Sequence, residues 1–141
     1  MSEESRLREE MCTLAASLHS RGLTHGATGN VSARTSDGGL LVTPTGSTLG
    51  TLDPARLSRF DASGRHVDGD KPTKEMPLHE AFYETRSRAG AIVHLHSTHS
   101  VAWSLLPDVD PRAGRKALCR HAGQSRPRRG GQGSARRRSG H

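Results

Sequence analysis

The chain has 141 residues, about one domain's worth, with 21 Lys and Arg against 14 Asp and Glu and a formal net charge of +7. Hydrophobic residues make up 31%, and no apolar run approaches the ~18 residues that a membrane-spanning helix needs. Two cysteines, Cys12 and Cys119, exclude a disulfide-dense scaffold; Ser2-Glu3-Glu4-Ser5 lacks the features of a secretory leader, so a cytoplasmic protein is expected.

The charge is unevenly spread. Residues 1–111 hold 11 basic and all 14 acidic side chains, a net of −3. Residues 112–141 hold ten basic residues and no acidic one, a net of +10. Leu118 is the only aliphatic residue larger than Ala in that stretch. Such a composition buries too little apolar surface to offset the entropy of ordering, so the reading is a folded body over 1–111 and a disordered basic tail over 112–141.

Along the body, residues 3–21 read as an amphipathic helix with Leu7, Met11, Leu14 and Leu18 on its apolar face. Ser2 is its N-cap and Gly22 its stop. Asn30 to Arg34 and Leu40 to Thr43 read as a hairpin about the turn Asp37-Gly38-Gly39. Thr43-Pro44-Thr45-Gly46-Ser47 is a tight loop. Asp53-Pro54 opens a short helix through Arg59. Phe60 to Val67 forms a second hairpin around Ala62-Ser63-Gly64. Pro77 to Arg86 is a helix, Ala91 to His96 a strand, and Thr98 to Leu106 a helix ending before Pro107. Mixed elements of this kind indicate a layered α/β or α+β domain.

Three features carry chemistry. On a strand, His94 and His96 point to one side while Leu95 faces the core. They are two nitrogen donors for a metal such as zinc, or two histidines on a polar sheet face. Glu75 lies just before a helix and serves as a general base or metal ligand, or as a solvated carboxylate favoured by the helix dipole. His79 follows it on the same helical face. The loops Gly29-Asn30-Val31-Ser32-Ala33-Arg34 and Thr43-Pro44-Thr45-Gly46-Ser47 offer backbone N–H groups, hydroxyls and amides that cradle an anion, or are ordinary turn chemistry. Structural roles are expected for His25 and His99.

Taken in order, Gly29-Asn30-Val31-Ser32-Ala33-Arg34, Thr43-Pro44-Thr45-Gly46, Lys71-Pro72-Thr73-Lys74-Glu75 with His79, and His94-Leu95-His96 resemble the class II aldolase/adducin family. The resemblance covers residues 5–110. Leu41 to Ser47 and Val93 to Ala102 are most similar to its 3-oxo-tetronate 4-phosphate decarboxylase branch, a relative of the fuculose-phosphate aldolases. It implies a three-layer α/β/α domain, here incomplete, usually tetrameric, with zinc or a similar divalent cation. It implies His94 and His96 as metal ligands. Glu75 becomes the acid/base carboxylate, ligating the metal when substrate is absent. Asn30, Thr45, Gly46 and Thr73 fall where the family binds the substrate phosphate. Lys74 stands where the fuculose aldolases have serine. The implied reaction is decarboxylation of a phosphorylated sugar acid to dihydroxyacetone phosphate and carbon dioxide. The alternatives are a fuculose-phosphate-type aldolase, a non-catalytic adducin-like member, and nonspecific nucleic-acid binding through the basic tail.

The resemblance stops after Leu105-Leu106-Pro107-Asp108-Val109-Asp110-Pro111. Nothing fills the position of the family's third metal histidine: His121 and His141 both lie in the tail. An Arg/Gly/Ala/Pro/Ser composition without acids suggests an out-of-frame or truncated reading from about residue 111, with impaired activity as its expected consequence.

Overall fold

Four short strands run as a meander, and a fifth returns to the far edge beside the first. In the computed structural model, which describes residues 1–107, the sheet order is β4-β3-β2-β1-β5. The strands are β1 (Asn30–Arg34), β2 (Leu40–Val42), β3 (Ser58–Phe60), β4 (His66–Asp68) and β5 (Ala91–His94). Every pairing is antiparallel. The helices are α1 (Glu3–Ser20), α2 (Met76–Thr85) and α3 (Thr98–Ser104). Residues Met1–Leu105 form one compact unit. No helix among the described residues is long and apolar enough to cross a membrane.

Strand alternation assigns the two faces. Val31 and Ala33 of β1 and Leu41 of β2 point one way and join Met11 and Ala15 of α1, with Leu49 and Leu57, in the buried core. Asn30, Ser32 and Arg34 point the other way, toward α2, whose His79 and Tyr83 are buried against them. Helix lies on sheet and sheet on helix, which is the α/β/α layering expected from the resemblance. Both faces of β1 are covered, so its first four residues are all buried.

α1 starts as expected, with the Ser2 side chain accepting from Ser5 N–H and Glu3 and Glu4 in the first turn. Its buried stripe is Arg8, Met11, Ala15 and Leu18. Leu14 is 47% exposed, contrary to the expected face. The sheet meets the helix one position further round, where the small Ala15 permits close approach. Arg8 enters the stripe because its guanidinium donates to the carbonyls of Pro54 and Leu57 and pairs with Glu4 and Asp68. Arg59 of β3 bonds Glu4 at 3.0 Å and Asp37 at 2.5 Å. These two buried guanidiniums tie α1 to the meander.

The helix expected from Asp53-Pro54 through Arg59 is only a 3-10 turn, Pro54–Arg56, capped by Asp53. Ser58–Phe60 pairs with Leu40–Val42 instead, so sheet pairing overrides the local helix signal. A second 3-10 turn, Leu49–Thr51, has no sequence signal and buries Leu49 completely under α1. The segment expected as a strand through His96 ends at His94. The basic segment 112–141, with His121 and His141, lies outside the described residues.

Candidate metal centre

β1 and β5 pair with Asn30 opposite His94. Directly opposed residues share a face, so both side chains point toward the N-terminus of α2. Gly29 makes this approach possible. Its φ is +79°, and a Cβ there would lie 2.9 Å from the His94 carbonyl oxygen and 3.2 Å from the Leu95 side chain. Leu95 packs toward the core, as alternation predicts.

Glu75 is the residue that opens α2, yet its side chain makes no capping bond. It turns into the sheet. Its Oε2 accepts from the Asn30 amide nitrogen and lies 3.0 Å from His94 Nδ1. Glu75 thus bonds across to the sheet rather than to its own helix end, while its side chain stays 40% exposed. The Asn30 hydrogen bond, together with the neighbouring His94 and His96 rings, holds the Glu75 carboxyl below its ordinary pKa, against a smaller opposing effect of burial. The His94 and His96 rings sit 4.9 Å apart between centroids. Glu75, His94 and His96 each offer one ligand atom, all within 4.8 Å of one another.

Two imidazoles and one carboxylate are the donor set that a catalytic zinc site uses, with the fourth position left to water or substrate. The residues present fit a divalent ion of that kind. His96 is exposed, and the Glu75 side chain is 40% exposed, so the cluster is open to ligands.

The other expected site residues fall in two places. Thr45 and Gly46 line a cavity of about 340 Å³ with Ser47, Arg56 and Asp70, a lining that does not include the histidine cluster. Gly46 has φ +69° and open space where a Cβ would go, so the backbone conformation is what favours glycine there. This loop is joined to the Lys71–Thr73 segment by Thr45 N–H to Lys71 C=O at 2.9 Å and Thr73 N–H to Thr43 C=O at 3.3 Å. Thr73 is buried, and its hydroxyl accepts from Glu75 N–H. Lys74 is exposed. Asn30 is only 4% exposed, and both ends of its amide are engaged within the protein. His25, given a structural role, bonds the Thr98 hydroxyl at 3.2 Å and so links the loop after α1 to α3.

Ser32 falls inside the Gly29–Arg34 motif without a role of its own there, and Tyr83 lies outside every motif, yet the fold makes both part of the site's surroundings. Ser32 Oγ lies 2.7 Å from His79 Nδ1 and 2.9 Å from Tyr83 Oη, with all three residues buried. The one available signal is spacing: Glu75, His79 and Tyr83 recur every four residues on one stripe of α2.

A sheet with α1 on one face and α2 on the other, and a two-histidine, one-carboxylate cluster at the β5 end, marks the layered class of metal-site proteins that the motifs suggested. The family model for the class II aldolase and adducin N-terminal domain matches residues 9–129, and the chain belongs to this family. Within it, the chain is 51% identical over 105 residues to a 3-oxo-tetronate 4-phosphate decarboxylase of Cupriavidus necator, covering 74% of this chain and 48% of that protein. It is 36% identical over 104 residues to an L-fuculose phosphate aldolase of Escherichia coli, again covering 74% of this chain and 48% of the relative. The crystal structure of YgbL from Escherichia coli superimposes with a TM-score of 0.73 at 49% identity. That match covers 77% of this chain and 53% of the other. The chain spans about half the length of the curated relatives it matches.

Proposed function

We propose that this chain carries the metal-binding half of a divalent-cation-dependent carbon–carbon lyase, acting on a phosphorylated sugar acid in the manner of 3-oxo-tetronate 4-phosphate decarboxylation. The carrying observation is the convergence of Glu75, His94 and His96 from a helix start and a strand end onto one point. Identity is higher to the decarboxylase-named relative than to the aldolase-named one, which favours decarboxylation over aldol cleavage.

In that reaction the bond to the carboxylate breaks, carbon dioxide leaves, and the electron pair stays on the carbon beside the ketone. A bound divalent ion, zinc being the one this donor set suits, supplies a Lewis acid for the charge that develops there. His94 and His96 would hold the ion. The carbon that has lost carbon dioxide must take up one proton, and Glu75, held as a carboxylate by Asn30, would relay it by taking a proton from solvent water and delivering it to that carbon. Thr45, Gly46 and Thr73 face the substrate phosphate through the joined loops, and Lys74 adds an exposed cation beside them. Asn30 supports the site from beneath, because its amide is already engaged by Glu75 and His79.

The test is carbon dioxide release from 3-oxo-tetronate 4-phosphate by the full chain, with and without zinc, beside zinc titration of the same sample. Zinc-dependent release, lost in Glu75→Gln, supports the reading. Cleavage of L-fuculose phosphate in its place would move the assignment to an aldolase. No zinc binding at all would overturn the metal centre. Salt-sensitive binding of nucleic acid, without zinc-dependent turnover, would shift the function to the basic segment 112–141.

A further inference from the structure

Behind the cluster runs a hydrogen-bonded chain that the proposed chemistry does not itself require. It passes from Tyr83 Oη to Ser32 Oγ, from Ser32 Oγ to His79 Nδ1, from His79 Nε2 to Asn30 Oδ1 at 2.5 Å, and from Asn30 Nδ2 to Glu75 Oε2. Ser32 and His79 are completely buried, and Asn30 and Tyr83 nearly so. No buried side-chain polar atom among the described residues lacks a partner.

The direction of every bond follows from one end. An ionised Glu75 only accepts, so Asn30 must present its NH₂ group to it. Asn30 then turns its carbonyl oxygen to His79, and that oxygen also only accepts. His79 Nε2 must therefore carry the proton. A neutral imidazole has one N–H, so Nδ1 accepts from the Ser32 hydroxyl, and the Tyr83 hydroxyl donates to Ser32. Burial pushes the His79 imidazole below its ordinary pKa, in keeping with a neutral ring.

We infer that His79 is a positioning residue: locked as its Nε2–H tautomer by Ser32 and Tyr83, it fixes the amide of Asn30 and so the orientation of the Glu75 carboxylate toward the His94–His96 pair. In the other tautomer, Nε2 would face Asn30 Oδ1 acceptor to acceptor. The amide would flip, and its carbonyl oxygen would then meet the Glu75 anion. A single proton on a residue with no role in ligation thus decides whether the carboxylate is held or repelled. The inference rests on Glu75, His94 and His96 being the metal centre of the proposed lyase.

Two measurements on the full chain test it. Long-range ¹⁵N–¹H correlation of ¹⁵N-histidine-labelled protein at mildly alkaline pH reads the His79 tautomer without any metal or substrate. Protonated Nε2 with unprotonated Nδ1 is expected. A protonated Nδ1, or a doubly protonated ring, would overturn the inference. The second measurement is zinc titration of His79→Gln against His79→Asn. The Gln amide reaches the Nε2 position and can donate to Asn30, whereas the Asn amide stops at the Nδ1 position. His79→Asn is expected to lose about 10- to 100-fold in zinc affinity, the range seen when groups that orient ligands are removed, while His79→Gln keeps most of it. Equal affinities in the two folded variants would overturn the inference, since a merely structural histidine would treat these polar replacements alike. If a variant does not fold, the tautomer of the parent chain still decides. If the parent binds no zinc, the lyase reading falls, and the tautomer alone judges the role of His79.

Discussion

Replacing Asn30 by Asp keeps the shape of the side chain and changes one hydrogen-bond donor into a second anion. The Oδ1 that accepts from His79 remains. The Nδ2 that donates to Glu75 Oε2 becomes a carboxylate oxygen. A hydrogen bond to a charged group is lost, worth about 1.5–3 kcal/mol. Two like charges ~4 Å apart repel by about 4 kcal/mol at an effective dielectric constant near 20. Glu75 is 40% exposed, and water screening reduces that repulsion to roughly 1 kcal/mol. Asn30→Asp is therefore expected to destabilise the metal-free chain by about 2–4 kcal/mol near neutral pH. The loss should depend on pH. In the parent, the folded-state pKa of Glu75 is lowered, so its contribution is present above the ordinary carboxylate range and is lost as pH falls through the folded value. In the variant, one carboxyl of the pair is raised, so the folded state takes up a proton sooner than the unfolded chain and gains stability on acidification. Urea unfolding at about pH 8 and about pH 5 should show the gap narrow at the lower pH, with Asn30→Ala as the control that adds no charge. A difference below about 0.5 kcal/mol that is the same at both pH values would refute the reasoning.

Three further outcomes are expected. Arg59→Met removes the guanidinium joining Glu4 to Asp37 and should cost about 1–3 kcal/mol, below the figure for a fully buried pair because both partners keep contact with water; faster amide exchange in α1 would report it, and unchanged exchange would count against the tie. The Asp37 carboxyl is held down to about 2 by the Thr35 hydroxyl, the Gly39 N–H and Arg59, so its pairing should persist above the usual carboxylate range and disappear as pH falls toward that value, visible in a ¹³C carboxyl titration. Leu41→Ala, at a site with no solvent exposure, should cost about 2–5 kcal/mol in urea unfolding; a loss near zero would mean the α1 side of the sheet is not the core.

Much of the candidate site is legible in the amino-acid sequence. Glu75, His94 and His96 are chemically distinctive residues in short motifs, and the alternation of His94, Leu95 and His96 foretells which side chain enters the core. α1 is readable because its caps and heptad-like apolar spacing are local properties. Leu14 and the segment Leu57–Arg59 depart from their expected places for the opposite reason. A helix's own periodicity leaves its buried stripe uncertain by about a residue, and the partner surface decides between Leu14 and Ala15. Asp53-Pro54 signals a helix start, but hydrogen bonds to β2, distant in sequence, claim Ser58 onward.

What the sequence by itself determined is the family, the order of the main helices and strands and the donor types of the candidate metal centre, because these reside in residue identity and short-range spacing. What only the tertiary structure decided is how those donors are held. Asn30 reads as a phosphate-loop residue in sequence. In the fold, the β1–β5 register sets it beside His94, and α2 brings Glu75 and His79 to either end of its amide. Such a chain joins residues up to 51 positions apart, from Ser32 to Tyr83. Hydrogen bonding acts only within a few ångströms, so a network of this kind exists only once packing has brought distant segments together.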